Sequence, residues 1–441
     1  MSHDMDCIYI RGGRLIDPAR GLDTPSDLLT SEGKITSLGG APPAGAVTIE
    51  ARGLIVCPGF IDLHTHLREP GFSEKETIAS GSRAAAAGGF TTVCAMPNTE
   101  PPQDTPETTA YVKDKATNAP VRVLPIGCIT KGRKGHELAD LAALARAGCI
   151  GFSDDGSAVP DPDIMRRALE FSREANLPII EHCEDATLSG HGVMNEGPLA
   201  HRLGLKGIPN AAEESVIARD IELTQETGGW LHVAHVSTAG SVALIREAKA
   251  RGIRVTAEVT PHHLTLTEAA IGDGDTSAKI NPPLRTEADI QALIAGLQEG
   301  VIDIIATDHA PHTPADKDQD FTRALFGISG LETALGSLMA LVHSDKLSLT
   351  ELLTKLTKAA EMLGGRYGQI GTLAPGAIAD IVIFDPEREW IVAPEQFYSK
   401  GHNTPLKGTL LKGRVLATIS RGRLVYRDSA LVIREREQVK G

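Results

Sequence analysis

The sequence predicts an α/β protein: a (β/α)8 TIM-like barrel with a small β-sandwich domain beside it, built from both ends of the chain. Three observations lead there. Between about residue 60 and residue 310 one phrase recurs, a short apolar run ending in polar residues, with Ala-, Leu- and Glu-rich stretches between most runs. The runs are continuously apolar, as strands covered on both faces must be, and about 250 residues is a usual span for eight β-then-α units. At both ends of the chain the pattern changes to short strands separated by Gly and Pro.

The strands are expected at Phe60-Ile-Asp-Leu, Phe90-Thr-Thr-Val-Cys-Ala-Met, Val121-Arg-Val-Leu-Pro-Ile-Gly-Cys-Ile, Cys149-Ile-Gly-Phe-Ser, Pro178-Ile-Ile-Glu, Trp230-Leu-His-Val-Ala, Arg254-Val-Thr-Ala-Glu-Val and Val301-Ile-Asp-Ile-Ile-Ala. Residues 137–147, 163–175, 212–227 and 238–250 have the apolar spacing of amphipathic helices, and 347–363 reads as a further helix. Residues 8–57 offer Ile8-Tyr-Ile, Arg14-Leu-Ile-Asp, Lys34-Ile-Thr-Ser-Leu and Leu54-Ile-Val, and the tail offers hairpin material from Gly376, Gly413 and Gly422. Each end is too short to bury a good core alone. The expected organisation is therefore 1–57 and 366–441 as two parts of one composite β-domain, and 58–365 as the barrel.

Composition narrows the function. The 441 residues carry 57 acidic and 44 basic side chains, a formal charge of −13, which disfavours a nucleic-acid partner. No apolar run is long enough to span a membrane, and the first residues lack the pattern of a secretory signal, so the cytoplasm is expected. The six cysteines are widely spaced without a C-x-x-C pair and read as reduced, buried thiols.

A barrel of this kind places its active site at the C-terminal ends of the strands. The first strand is followed by His64 and His66, two residues apart on extended backbone, so both rings face one side and can share an ion. The fourth leads to Asp154-Asp155-Gly156, the fifth to His182, the sixth to His235 and the eighth to Asp308. An Asp-Asp-Gly alone is a turn, and a lone Asp before His309 could cap a helix. Six nitrogen and oxygen ligands converging on one rim are not coincidental. Four imidazoles and two carboxylates exceed one tetrahedral site, so two divalent metal ions per subunit are expected, Zn2+ for preference. One ion takes His64, His66 and Asp308, the other His182 and His235, with a carboxylate bridging them. Such a pair holds a water and lowers its pKa to near 7. His232 lies inside the sixth strand and is expected to face elsewhere in a packed or hydrogen-bonded role; His262 and His263 are expected behind the ligands.

Pro58-Gly-Phe-Ile-Asp-Leu-His-Thr-His-Leu-Arg-Glu-Pro-Gly71, with the later His residues and Asp308-His-Ala-Pro-His312, resembles the amidohydrolase superfamily of metal-dependent hydrolase barrels. Within it the chain looks like a dihydroorotase of the class I bacterial type, through Ala95-Met-Pro-Asn98, Phe152-Ser-Asp-Asp-Gly, Glu181-His-Cys-Glu-Asp, Ala234-His-Val-Ser, Thr260-Pro-His-His-Leu, Lys279-Ile-Asn-Pro-Pro-Leu-Arg and Phe326-Gly-Ile-Ser-Gly-Leu-Glu-Thr. Dihydropyrimidinases, hydantoinases, allantoinases and class II dihydroorotases typically bridge their metals with a carboxylated lysine after the fourth strand, and no Lys occurs here from Gly135 through Leu205. The resemblance instead implies Asp155 as the bridge. It implies substrate contacts from His66, Arg68, Asn98, Asn281, His312 and the backbone at Phe326 and Gly327. It implies Asp308 as catalytic acid and base in the reversible cyclisation of N-carbamoyl-L-aspartate to L-dihydroorotate, a step of de novo pyrimidine (UMP) biosynthesis. It also allows a homodimer and a complex with aspartate transcarbamoylase. The polar segment 311–323 is expected to be a mobile lid. Two rival readings are a hydantoinase or allantoinase, and an inactive subunit that only scaffolds the transcarbamoylase; the full ligand set speaks against the second.

Overall fold

The computed structural model describes residues 7–434. The strands in chain order are β1 (Cys7–Asp17), β2 (Leu22–Ser31), β3 (Lys34–Leu38), β4 (Val47–Glu50), β5 (Ile55–Pro58), β6 (Phe60–Thr65), β7 (Phe90–Ala95), β8 (Arg122–Pro125) and β9 (Ile179–Glu181). They continue with β10 (Met194–Asn195), β11 (Gly207–Ile208), β12 (Leu231–Val233), β13 (Val255–Val259), β14 (Ile304–Ile305), β15 (Ile381–Ile391), β16 (Leu410–Ser420), β17 (Arg423–Arg427) and β18 (Ile433–Arg434).

Parallel pairing runs β6-β7-β8 and β9-β12-β13-β14. Single parallel bridges join the two arcs: Gly127 to Phe152 and Phe152 to Ile179 on one side, Thr65 to His309 on the other. The ring thus has eight positions, with the fourth supplied by the segment at Phe152. That segment is shorter than its apolar run suggests, because the Asp154 carboxylate turns back to accept the Ile129 and Thr130 N–H groups at 2.9 and 3.1 Å.

Ile61, Leu63, Cys94, Met96, Leu124, Ile126, Ile150, Ile180, Ala234 and Ile304 form one buried cluster drawn from seven of the eight positions, which fills the barrel. Outward-facing Phe60, Phe90, Val93, Val123, Phe152, Leu231, Val233 and Ala257 belong to the larger core under the helices. Fully burying one such side chain contributes about 1.5–3 kcal/mol.

The two chain ends meet in one nine-stranded network ordered β17-β16-β15-β5-β1-β2-β3, with β4 on β1 and β18 on β4. Its strands alternate between two cores. Ile381 and Ile383 enter the core of the sheet itself, whereas Val382 and Phe384 enter the core shared with the barrel. Leu15 and Ile16 divide in the same way. The sheet is therefore fused to the barrel through β1, β5, β15 and β16.

Two helices differ from their expected spans. The helix expected from 137 begins at Leu141, capped by Asp140, whose side chain accepts the Ala143 N–H at 2.8 Å. Ala139 is engaged instead with Ile129 O at 2.9 Å. The helix expected over 347–363 is two, Leu349–Thr357 and Ala359–Leu363. The polar segment 311–323, expected as a lid, is partly packed against the rim. Thr313 and Asp316 form a capping box on the turn Pro314–Lys317, and Lys317 and Phe321 are buried.

β5 passes into β6 through Gly59 alone, and a Cβ there would lie 2.2 Å from Thr91 Oγ1. Gly59→Ala is expected to destabilise the fold by about 1–3 kcal/mol through overpacking, measured as a lowered urea midpoint with an unchanged slope.

Candidate active site

The side chains named from the strand ends come together at one mouth of the barrel. Asp155 Oδ1 lies 3.4 Å from His64 Nε2, 3.6 Å from His182 Nδ1 and 3.4 Å from His235 Nε2, and its Oδ2 lies 3.4 Å from His66 Nε2. Asp308 Oδ1 is 2.9 Å from His66 Nε2 and 3.5 Å from His64 Nε2. His64, His66 and Asp155 form one group able to hold a metal ion, and Asp155, His182 and His235 form another, so the same carboxylate belongs to both. Asp154 faces away, onto the loop at Thr130.

The donor set fits divalent metal on two counts. His64 Nε2 and Asp155 Oδ1 are fully buried and have no hydrogen-bond partner, a costly arrangement unless a cation is shared between them. His182 Nδ1 and His235 Nε2 face each other at 3.0 Å, close to the spacing of two imidazole nitrogens on one ion.

Behind the donors stands a layer that the sequence reading did not identify. Glu258 accepts from His64 Nδ1 at 2.6 Å and from His232 Nε2 at 3.1 Å, which directs the other nitrogen of His64 into the cluster. His232 is thus a hydrogen-bonded support, its Nδ1 2.9 Å from Thr256 Oγ1. Glu184 lies 3.1 Å from His182 Nε2 and accepts the Asn281 amide at 2.6 Å. The signal for Glu258 was a charged residue inside the apolar run of the seventh strand; for Glu184 it was the spacing of two from His182. His263 donates to Pro282 O at 3.0 Å and so steadies the turn that carries Asn281. His262 stays outside both donor groups.

A cavity of about 220 Å3 opens on the cluster, with Arg68, Asn98, Asn281, His312, Phe326 and Gly327 on its walls beside His66. Asn98 Oδ1 is 2.8 Å from His66 Nδ1. Arg68 reaches Pro311 O and His312 Nε2, both at 3.3 Å. His312 Nε2 in turn lies 2.8 Å from Phe326 O. A slightly larger cavity of about 270 Å3, beside Trp390, Tyr398 and Tyr426, contains none of these donors; chemistry, not size, places the site.

Electrostatics agree with the geometry. Burial works against charging His64, but Asp155, Glu258 and Asp308 hold its pKa well above the ordinary value. Burial likewise opposes charging His182, and Asp155 and Glu184 raise its pKa to about 10. Against the same desolvation, the surrounding imidazoles hold the Asp155 and Asp308 carboxyls far below the usual range. Burial of Arg68 lowers its pKa to about 10, so it stays cationic at neutrality.

A parallel barrel carrying an imidazole and carboxylate cluster at the strand ends defines an amidohydrolase, and an amidohydrolase family model matches residues 202–426. A dihydro-orotase-like model matches residues 53–241. The dihydroorotase of Geobacter sp. (strain M21) is 49% identical over 423 residues, covering 95% of this chain and 99% of that protein. The dihydroorotase of Pelotomaculum thermopropionicum (strain DSM 13744 / JCM 10971 / SI) is 50% identical over 427 residues, covering 96% and 99%. Among solved structures, the L-hydantoinase (dihydropyrimidinase) of Arthrobacter aurescens superposes with a TM-score of 0.86 at 26% identity, covering 97% of this chain and 98% of that one. The dihydropyrimidinase of Brevibacillus agri NCHU1002 gives 0.84 at 25% identity, covering 97% and 96%. The chain belongs to the dihydroorotase family.

With its pKa raised to about 10, His182 is protonated at neutral pH in the metal-free protein and must lose that proton to ligate. Adding Zn2+ to metal-stripped protein is expected to release protons, and apparent affinity should fall as pH falls. Calorimetric titration in two buffers of different ionisation enthalpy measures this; equal heats in both would contradict it.

Proposed function

We propose that the protein catalyses the reversible cyclisation of N-carbamoyl-L-aspartate to L-dihydroorotate and water, in pyrimidine biosynthesis, as a dihydroorotase of the class I bacterial type. The observation that carries this reading is the position of Asp155, within 3.4–3.6 Å of four imidazole nitrogens. It stands where the related cyclic-amide hydrolases are expected to use a modified lysine, in a stretch of this chain that contains none.

His64, His66, Asp155, His182, His235 and Asp308 would hold two divalent ions, Zn2+ for preference. When bound, these supply Lewis-acid polarisation of a carbonyl and a water acidic enough to ionise near neutrality. The chain's own groups do the rest. Arg68 offers a planar fork to the substrate carboxylate, and the Asn98 and Asn281 amides match the row of ureido groups. His312, beside Arg68, and the Phe326–Gly327 backbone complete the lining. In hydrolysis, Asp308 takes the proton of the attacking water and returns it to the ring nitrogen as the C–N bond breaks; in cyclisation it runs the transfer in reverse. The imidazoles that depress its pKa keep it ionised, the form a proton acceptor requires. A homodimer and a complex with aspartate transcarbamoylase, in the cytoplasm, complete the proposal.

Initial rates of carbamoyl-aspartate cyclisation are expected to exceed those of hydantoin and allantoin hydrolysis, and preference for either of the latter would overturn the assignment. Asp308→Ala should reduce turnover by at least ~10²-fold, the lower bound for a lost acid–base group. Separately, Asp155→Ala should lose at least one ion per subunit by metal analysis, whereas unchanged occupancy would remove Asp155 as a ligand.

A further inference from the structure

Lys317 sits in a run of polar residues, Asp316-Lys-Asp-Gln-Asp320, where a solvated side chain is the ordinary outcome. It is buried instead, at 6% exposure. Its Nζ donates to Leu325 O at 2.8 Å, Gly327 O at 3.2 Å and Lys279 O at 3.3 Å, which engages all three donors of the head group with backbone carbonyls. Burial and the neighbouring Lys279 lower its pKa to about 7, and the three carbonyl bonds belong to the protonated head group, which alone carries three N–H donors.

Those carbonyls belong to the two segments that carry Asn281 and the Phe326–Gly327 wall. A trans peptide points its C=O and the next N–H in opposite directions, and the Leu325–Phe326 peptide is not among the cis bonds. Drawing Leu325 O back onto Lys317 therefore turns the Phe326 N–H the other way, toward the cavity that Leu325, Phe326 and Gly327 line and Lys317 does not. Phe326 N donates to no protein acceptor among the described residues, whereas the flanking Leu325 and Gly327 N–H groups are taken by Asp316 O at 3.1 Å and Lys279 O at 2.9 Å. Asn403 secures the same wall from the other side, donating to Gly327 O at 2.9 Å and Ala310 O at 3.0 Å. At Gly327, φ is +148° and a Cβ would meet Ala310 O at 2.6 Å, so only glycine fits this close approach.

We propose that Lys317 is a positioning residue: by holding the carbonyls of Leu325, Gly327 and Lys279, it presents the Phe326 N–H as a hydrogen-bond donor to the substrate. The inference rests on the cyclic-amide substrate assigned above. It separates from that assignment because the wild-type assay tests the substrate, while the variant and the exchange measurement test the lysine.

Lys317→Met keeps the length of the side chain and removes every donor. In the full-length, metal-loaded protein it is expected to raise KM for carbamoyl aspartate ~10-fold, the cost of one backbone hydrogen bond, with kcat within ~3-fold, unchanged metal content and an unchanged circular dichroism spectrum. An unchanged KM in such a protein overturns the proposal, as does a loss confined to kcat. Should the variant not fold, amide hydrogen exchange on the wild-type enzyme decides. Dihydroorotate is expected to slow exchange of the Phe326 amide at least ~10-fold, and equal exchange with and without it, at a concentration that saturates turnover, overturns the proposal.

Discussion

The structure at the mouth of the barrel depends on one burden, the burial of the Asp155 carboxylate at 3% exposure. Moving an isolated carboxylate out of water costs several kcal/mol even after relaxation. No local segment could offset that, because neighbouring residues on one strand end offer too few donors. The barrel solves it by geometry. Four imidazoles from three strand ends point at the same carboxylate, and the ring must close for them to do so. The bridge between Thr65 and His309 that completes the ring also sets His64 and His66 beside Asp308. The contact that closes the ring is also one that assembles the cluster.

That assembly strains the backbone at the donors themselves. His235 and Asp308 have φ of 31° and 46°, and Arg68 has 61°, conformations that cost side-chain-bearing residues about 1–3 kcal/mol each. They persist because the surroundings overdetermine them. Next to Asp308, Thr307 is fastened to Asp62 through its N–H at 3.0 Å and its hydroxyl at 2.5 Å, and His309 O accepts the His66 N–H at 2.8 Å. The Asp308 carboxylate is thus held between two tethered residues, which fixes its distance to the ring nitrogens beside it.

Much of this was legible in sequence because barrel strands are continuous apolar runs and the donors follow them directly. Repetition made the architecture visible, and the spacing of His64 and His66 made a shared ion visible. What was not legible required contacts distant along the chain. Glu258 faces His64 across 194 positions; a charge inside an apolar strand marks it as paired, but nothing local says with what. The fourth strand, expected at Cys149-Ile-Gly-Phe-Ser, pairs only through bridges at Phe152, and the Asp154 carboxylate that follows is bound to the Ile129 and Thr130 N–H groups far off in sequence. The segment 311–323 reads as mobile because it is polar, yet a buried lysine ties it to the rim. Polarity predicts exposure only where no backbone carbonyls wait for the donor.

The same reasoning accounts for an acidic protein that takes an anionic substrate. At physiological ionic strength charges are screened over about 8 Å, so most of the net −13 is not felt at the mouth of the barrel. What the substrate meets is local. Arg68 is buried on the wall, and its pKa of about 10 leaves it charged at neutrality. The carboxylates nearest to it, Asp155 and Asp308, are already surrounded by imidazoles. Burial, which lowers the pKa of Arg68, also removes the water that would weaken its pull, so this guanidinium acts at close range where distant surface carboxylates are screened.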